Sequence, residues 1–450
     1  REFLNTRRHK GGIEGPGQSN SNLWFTSIEK PDSLGPTTAA GSVWLDEPIK
    51  ASEPSEPFLF AGWPRRAAWI HNAGTTAADF LFEVDRDGHG AWVALKSSTV
   101  EPGEAEMVEF TREDQGEGIR VRTTADVTGT VSFNYADFDE RPARSDAIFT
   151  GLQQADDPEA IGGLLYGLGD DRRALGIAAQ RFEHGQVSRI GYYALDDALT
   201  LVRTQDEETE RFIEEKFAIP ENVITVEESS VLVVDDQGRR WRFPLGDSAF
   251  ADLIGSAKLR IAREVATERD LFNCHGTFSE LPAENADGFA KVRPIATHNF
   301  RVHDYASYRG MIVLTGIDPD AEASAHIIQS NDREAAVWVG AIDDLWKLGK
   351  PTGSGGPWKE TSVEAGAASD PYLIGFYDER SLSLSHSSDL PVTFRIEVEP
   401  VGHGPWMLYR EVMVQPGEVY EHDFPESFQA RWIRFEADRD CVVTAWLEYR

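Results

Sequence analysis

Apolar and polar residues alternate in short spans along most of this chain, with Gly, Pro and Asp turns between them. FLFAGW, AAWIHNA, DFLFEVD, WVALKSSTV, AEMVEFT, GIRVRTT and GTVSFNYA follow one another between Phe58 and Ala136. Period-two alternation in runs of this length predicts half-buried strands, and seven or eight in succession predict an antiparallel β-sandwich.

The same pattern returns downstream. Trp24, Trp44 and Pro57 match Trp338, Trp358 and Pro371 at a constant offset (338 − 24 = 314). The register then slips by one residue and recovers. From Phe80 onward Glu83, Trp92, Gly103, Phe110, Arg120 and Tyr135 match Glu397, Trp406, Gly417, Phe424, Arg434 and Tyr449 at 314 again. So long a series of matches marks a duplicated module. The GHG before Trp92 and Trp406 and the PGE further on sit at hairpin turns, which makes His89 and His403 turn residues. The matched aromatic residues are expected in the two cores. A QSN at residues 18–20 recurs at 329–331, a few residues out of register.

Between the copies, from Arg144 to Ile317, strand-like runs come in small groups: GGLLYGLG, ALGIAAQRF, SRIGYYAL and ALTLVRT, then NVITVEESSVLVV and RRWRFPL, then RIAREVAT, LFNCHGTF and GMIVLTGI. Such grouping predicts three to four irregular propeller blades. Helical candidates are DEETERFIEEKFAIPEN and DSAFADLIGSAKL, the second opening on an Asp/Ser cap. The expected fold class is all-β: two related antiparallel sandwiches flanking a propeller-like block that belongs to a larger propeller. Residues 1–22 are expected to end a truncated upstream unit, 23–138 to form the first sandwich, 139–320 the propeller-like block and 321–450 the second sandwich.

Charge narrows the partners. Lys and Arg number 44 against 76 Asp and Glu, a formal net charge of −32 spread along the chain. Nucleic acid and anionic membrane are therefore excluded as expected partners, and no apolar run is long enough for membrane insertion. Only 10 of the basic residues are Lys; an acidic, Lys-poor surface is read as salt adaptation. Two cysteines, Cys274 and Cys441, form no disulfide framework.

Chemistry concentrates between Asp270 and Gly310, DLFNCHGTFSELPAENADGFAKVRPIATHNFRVHDYASYRG. A β-rich interior uses few ionisable groups, so this stretch either lines a cleft or ties loops together. Three chemistries fit it. On an acidic sugar, Arg293, Arg301 or Arg309 would neutralise a carboxylate while His275, His298, His303 or Tyr305 moved protons, with Asn285 and Asn299 as further substrate contacts. Hydrolysis by paired carboxylates would use Glu280, Glu284 and Asp304. The third is a metal site, for which His298, His303 and Asp304, with His275 nearby, are acceptable ligand types; HNFRVHD is not a recognised zinc spacing and a strand would point His298 and His303 to opposite faces, so no metal is assigned. No cofactor is assigned. The competing structural reading is that these side chains satisfy backbone groups where blades meet. GxSxG, P-loop, GxGxxG and HExxH motifs are all absent.

FLNTRRHKGGIEGPGQSNSNLWF, the Asp270–Gly310 stretch and the sandwich ending in Tyr449 resemble large bacterial β-propeller proteins found among polysaccharide-degrading genes. The sandwich also resembles the accessory domains of carbohydrate-active enzymes. The resemblance implies a protein that meets polysaccharide or oligosaccharide outside the cytoplasm, in an extracellular or periplasmic setting. It acts either by lyase or hydrolase chemistry, on acidic polymers among others, or as a non-catalytic glycan-binding or structural protein. No catalytic residue follows from it.

Overall fold

The computed structural model describes residues 27–29, 31, 34–168, 174–254, 258–266, 269–402 and 404–450. Contacts divide the chain after Gly35. In the first unit Leu34 N donates to Pro31 O at 3.0 Å. The expected upstream remnant at 1–22, Trp24, QSN at 18–20 and the turn residue His403 lie outside the described residues.

The second unit opens with eight strands: β1 (Thr38–Ile49), β2 (Phe58–Leu59), β3 (Arg65–Asn72), β4 (Ala78–Asp85), β5 (Trp92–Val100), β6 (Ala105–Phe110), β7 (Gly118–Thr123) and β8 (Val127–Ala136). They pair as β1-β8-β3-β6 and β2-β7-β4-β5. Phe60, Phe80, Phe82, Phe110, Phe133 and Tyr135 fill the space between these sheets, as alternating inward residues of two packed sheets must. Two four-stranded sheets joined in this order are a jelly roll.

Fifteen strands follow: β9 (Ala160–Leu168), β10 (Ala174–Glu183), β11 (Gln186–Leu195), β12 (Leu201–Arg203), β13 (Ile224–Val226), β14 (Val231–Val234), β15 (Arg240–Phe243), β16 (Ala262–Ala266), β17 (Arg269–Cys274), β18 (Thr277–Pro282), β19 (Arg293–Thr297), β20 (Tyr305–Tyr308), β21 (Met311–Leu314), β22 (Ile327–Gln329) and β23 (Ala336–Ala341). They form blade-like antiparallel sheets ordered β12-β11-β10-β9, β13-β14-β15, β16-β17-β18-β19 and β20-β21-β23-β22. The last of these spans residue 320, so β22 and β23 complete a blade.

The sheets stack face to face. Leu165, Ile177 and Tyr193 meet Tyr308, Val313 and Val337. The other side of that blade, at Ile312, Leu314 and Trp338, meets Leu271, Phe278 and Ile295. Phe272 and Cys274 in turn meet Val233, Trp241 and Phe243. The free face of the β9–β12 sheet is covered by helix α1 (Glu207–Lys216). Asp206 caps that helix by accepting from Thr209 N at 3.0 Å. The second helical expectation gives way to a short 3-10 turn, Ser248–Phe250, capped by Asp247 as its sequence implies. Leu253 N and Ile254 N both fold back on Phe250 O.

The chain ends in a second eight: β24 (Gly353–Val363), β25 (Tyr372–Leu373), β26 (Arg380–His386), β27 (Val392–Glu399), β28 (Met407–Val414), β29 (Tyr420–Asp423), β30 (Trp432–Ala437) and β31 (Cys441–Tyr449). Their orders, β24-β31-β26-β29 and β25-β30-β27-β28, repeat those of the first sandwich strand for strand. The irregularities repeat too. Bulges fall at Trp44 and Trp358, and at Glu83 and Glu397. Positive φ occurs at Asp46 and Glu360, and at Gly62 and Phe376. Arg66 faces Tyr135 as Arg380 faces Tyr449, so the offset of 314 holds across β3, and the one-residue slip read from the sequence does not exist in the fold.

Each GHG turn is fixed from below by a carboxylate. Asp85 accepts from Gly88 N (3.1 Å) and Gly90 N (2.7 Å), and Glu399 accepts from Val401 N (3.0 Å) and Gly404 N (2.9 Å). Trp92 and Trp406 are equivalent, but neither is in a core as expected: both are half-buried on the outer face. Each lies under an Arg, with Arg120 4.5 Å from the Trp92 ring centroid and Arg434 4.3 Å from that of Trp406. Those guanidinium groups are held by Glu83 and Glu397, both at 2.7 Å.

The copies differ where they dock. Trp69, on the outer face of β3, is fully buried against Tyr409 and Phe428 of the second sandwich and donates to Gln429 O at 2.7 Å; its counterpart is Ser383. Trp432 packs on Trp241 with the rings tilted by 48° and donates to Ala290 O at 2.9 Å; its counterpart is Gly118. A parallel bridge from Arg242 to Tyr372 joins β15 to β25, so β13–β15 and half of the second sandwich are one seven-stranded sheet.

Candidate functional site

The polar stretch singled out by sequence runs through the place where the first strands of three blades meet. β20 lies against both β9 and β16, and Asp304, just before β20, is fully buried. Its carboxylate accepts from Arg260 Nε (2.7 Å), from Arg263 Nη1 (3.0 Å to each oxygen), from Leu165 N (2.9 Å) and from Tyr305 N (2.8 Å). Burial opposes its charge, but Arg263 and Arg260 win and hold its pKa below the usual carboxylate range. Gly316 closes on the same point: a Cβ there would sit 1.9 Å from Arg301 O at φ +105°, so the position admits only glycine.

The neighbouring groups are committed in the same way. His303 is buried, and its Nδ1 accepts from Gly163 N at 3.0 Å. Tyr305 donates to Leu271 O at 2.7 Å, and burial pushes its phenol far above the ordinary range. Arg301 donates to Asp157 O at 2.8 Å and lies 4.7 Å from the Phe182 ring centroid. His275, at φ 50° in the β17–β18 turn, accepts from Gly246 N at 2.9 Å. His298 accepts on Nδ1 from Phe300 N at 3.1 Å, so its proton resides on Nε2, which is buried with no partner among the described residues. Burial pushes the imidazoles down, His275 and His303 to about 4 and His298 to about 3. All three are neutral near pH 7.

Few of the named residues come together. His275 and His298 do, each packing on Phe250 with centroids 5.8 and 5.9 Å away, and His298 N donates to Gly276 O. Arg293 instead donates to Pro36 O at 3.0 Å and lies over Trp346 and Phe376. Arg309 is exposed in the β20–β21 turn. Glu280 is half-buried and opposite Arg293, Glu284 is exposed and accepts from Gln237 at 3.0 Å, and Asn285 is exposed beside it. Glu280, Glu284 and Asp304 thus sit in three different environments and make no carboxylate pair.

A cleft of about 810 Å³ opens where the blades meet the second sandwich. His298 and the exposed Asn299 line it from the predicted set. Ser354, Glu448 and Arg450 line it from the second sandwich, and Arg144, Gln154 and Asp247 are further parts of the wall. Sequence reasoning missed these because they come from five separate segments and carry no motif. Only the nearness of Ser354 to the repeat-defining Trp358 hinted at the second sandwich's share. Among the described residues no group of His, Cys, Asp and Glu has the arrangement of a metal site.

No protein-family model matches the chain, and no curated protein is similar to it. Among solved structures it aligns with the PBSX exported protein XepA over 91% of this chain and 86% of that one, at 7% identity and a TM-score of 0.18. An oxalate decarboxylase from Bacillus subtilis aligns over 93% of this chain and 68% of that one, at 13% identity and 0.16. A glycoside hydrolase family 32 protein from Bifidobacterium adolescentis aligns over 90% and 99%, at 8% identity and 0.14. Scores so low carry no functional argument.

Proposed function

We propose that this chain binds a polysaccharide or oligosaccharide without cleaving it, holding a segment of it in the cleft beside His298 and Asn299. One observation carries the reading. His303, Asp304 and Tyr305 are spent on backbone groups and a buried ion pair, while a polar cleft of about 810 Å³ stands open beside the same stretch. A cleft of that size suits a small-molecule or glycan segment, and its wall of amide, hydroxyl and charged groups suits ligand hydroxyls. A duplicated jelly roll is an architecture that serves lectin-type binding. Arg293 and Arg301 are committed to carbonyl oxygens, and the Arg144 and Arg450 that line the cleft are offset there by Asp247 and Glu448, so no surplus of cations stands in it against a net charge of −32. The ligand class is therefore neutral.

A second reading, lyase or hydrolase chemistry, draws support from the unfilled Nε2–H donor of His298. The test combines calorimetry and a product assay on the full chain with a panel of neutral and acidic polysaccharides. The expected result is saturable binding of a neutral polymer, weakened by Asn299→Ala and Arg144→Ala, with no new reducing ends or unsaturated products. Turnover abolished by His298→Gln would overturn the binding reading in favour of the second one.

A further inference from the structure

We infer that the second sandwich carries a separate sugar site, built on Trp406, for a neutral pyranose; the choice of ligand class rests on the glycan-binding reading above. A cavity of about 460 Å³ lies where β15 joins the seven-stranded sheet, walled by Trp241, Trp406, Trp432, Arg240 and Asp370.

The three indoles have different duties. Trp241 donates to Asp235 at 2.9 Å and Trp432 to Ala290 O at 2.9 Å, and their centroids are 4.6 Å apart, so both are fixed parts of the floor. Trp406 is half-buried, and its indole makes no hydrogen bond among the described residues. Arg434, itself tied to Glu397, clamps Trp406 from one face and is not part of the cavity wall. The ring is thus held rigid with the cavity on its other side. A preorganised aromatic face of this kind stacks on the C–H face of a pyranose at little entropic cost.

Hydrogen bonding is prepared as well. Asp370 takes two bonds from Arg240, at 2.9 and 3.1 Å, and a third from Arg242 at 2.8 Å, and the Arg240 side chain is 47% exposed. This fixed donor–acceptor pair at the cavity edge can meet two neighbouring hydroxyls. Its charges cancel locally, which suits an uncharged sugar.

The first sandwich provides an internal control. Gly118 stands where Trp432 does, 3.4 Å from the Trp92 ring at an added Cβ, so the first copy has no second indole to floor a cavity beside Trp92. Glu56 replaces Asp370. The site therefore exists in one copy only.

Titration of the full chain with cellohexaose, xylohexaose and mannohexaose, read by calorimetry and tryptophan fluorescence, tests this. One of the three is expected to bind, with Trp406→Ala weakening it at least tenfold, Trp406→Phe restoring most of the affinity, and Asn299→Ala in the cleft leaving this event unchanged. Thermal melting checks that each variant is folded. Binding lost with Asn299→Ala and untouched by Trp406→Ala overturns the Trp406 site and leaves the cleft reading standing. No binding of any of the three overturns the Trp406 site, while binding of a longer polymer to the cleft decides the other reading by itself.

Discussion

Asp304 is the group on which the middle of the molecule depends most, and replacing it gives a sharp test. Asp304→Ala removes a fully buried carboxylate and leaves Arg260 and Arg263 facing each other, with Leu165 N and Tyr305 N also unpaired. Breaking a buried ion pair from one side costs about 3–5 kcal/mol, because the remaining charge stays desolvated. At about 2.1 cal/mol/K per residue, a unit running from Pro36 to Arg450 loses about 5 °C of Tm for about 4 kcal/mol. If the blades melt on their own the shift is larger. Melting is followed by circular dichroism at low and at molar NaCl. The loss should be equal in both, because salt does not screen a pair buried away from solvent. Adding Arg260→Met and Arg263→Met to Asp304→Leu should recover much of the loss by replacing the charged cluster with apolar packing. A Tm within 1 °C of the parent for Asp304→Ala, at about the noise of such scans, would refute the claim that this cluster holds the blades together.

The remaining expectations follow the same physics. The folded-state pKa values of His275, His298 and His303 lie below the unfolded value, so the stability they contribute is complete above about pH 6.5 and is lost as pH falls toward about 4. Tm should drop over that window and the slope should lessen in His303→Gln; a flat profile would contradict it. Surplus carboxylates repel one another less as the Debye length shrinks, so Tm should rise from low to molar NaCl, and a flat or falling curve would remove the salt-adaptation proposal. Trp432→Ala should cost about 3–5 kcal/mol by denaturant titration and the half-buried Trp92→Ala clearly less; equal costs would refute the outer-face placement.

Much of the fold could be read from the sequence because its strands alternate cleanly and occur twice. The long β1 escaped that reading: Gly41, Asp46 and Pro48 interrupt its pattern, and two register shifts around Trp44 break the period. The site was harder. Polar density between Asp270 and Gly310 signals groups that need partners, and a cleft and a packed junction need the same groups. What separates them is the identity of the partners, and Gly163 and Leu165 lie about 140 residues before His303 and Asp304. Trp92 and Trp406 were expected inside because matched aromatics usually are. An Arg over the ring gave them a second stable place outside.

The departures from the repeat say how the two sandwiches relate. Trp69 of the first is received by Tyr409 and Phe428 of the second, while β6 lies along β28, so one copy uses its β3–β6 face and the other an unrelated edge. Such a head-to-tail contact has no twofold axis and closes nothing by itself; repeated, it would add module after module in an open series. Ser383, in the place of Trp69, offers the next module no anchor. The receiving pair is not repeated either, since Leu95 and Asp114 of the first sandwich stand in the places of Tyr409 and Phe428, so a duplicated module makes this contact once and in one direction.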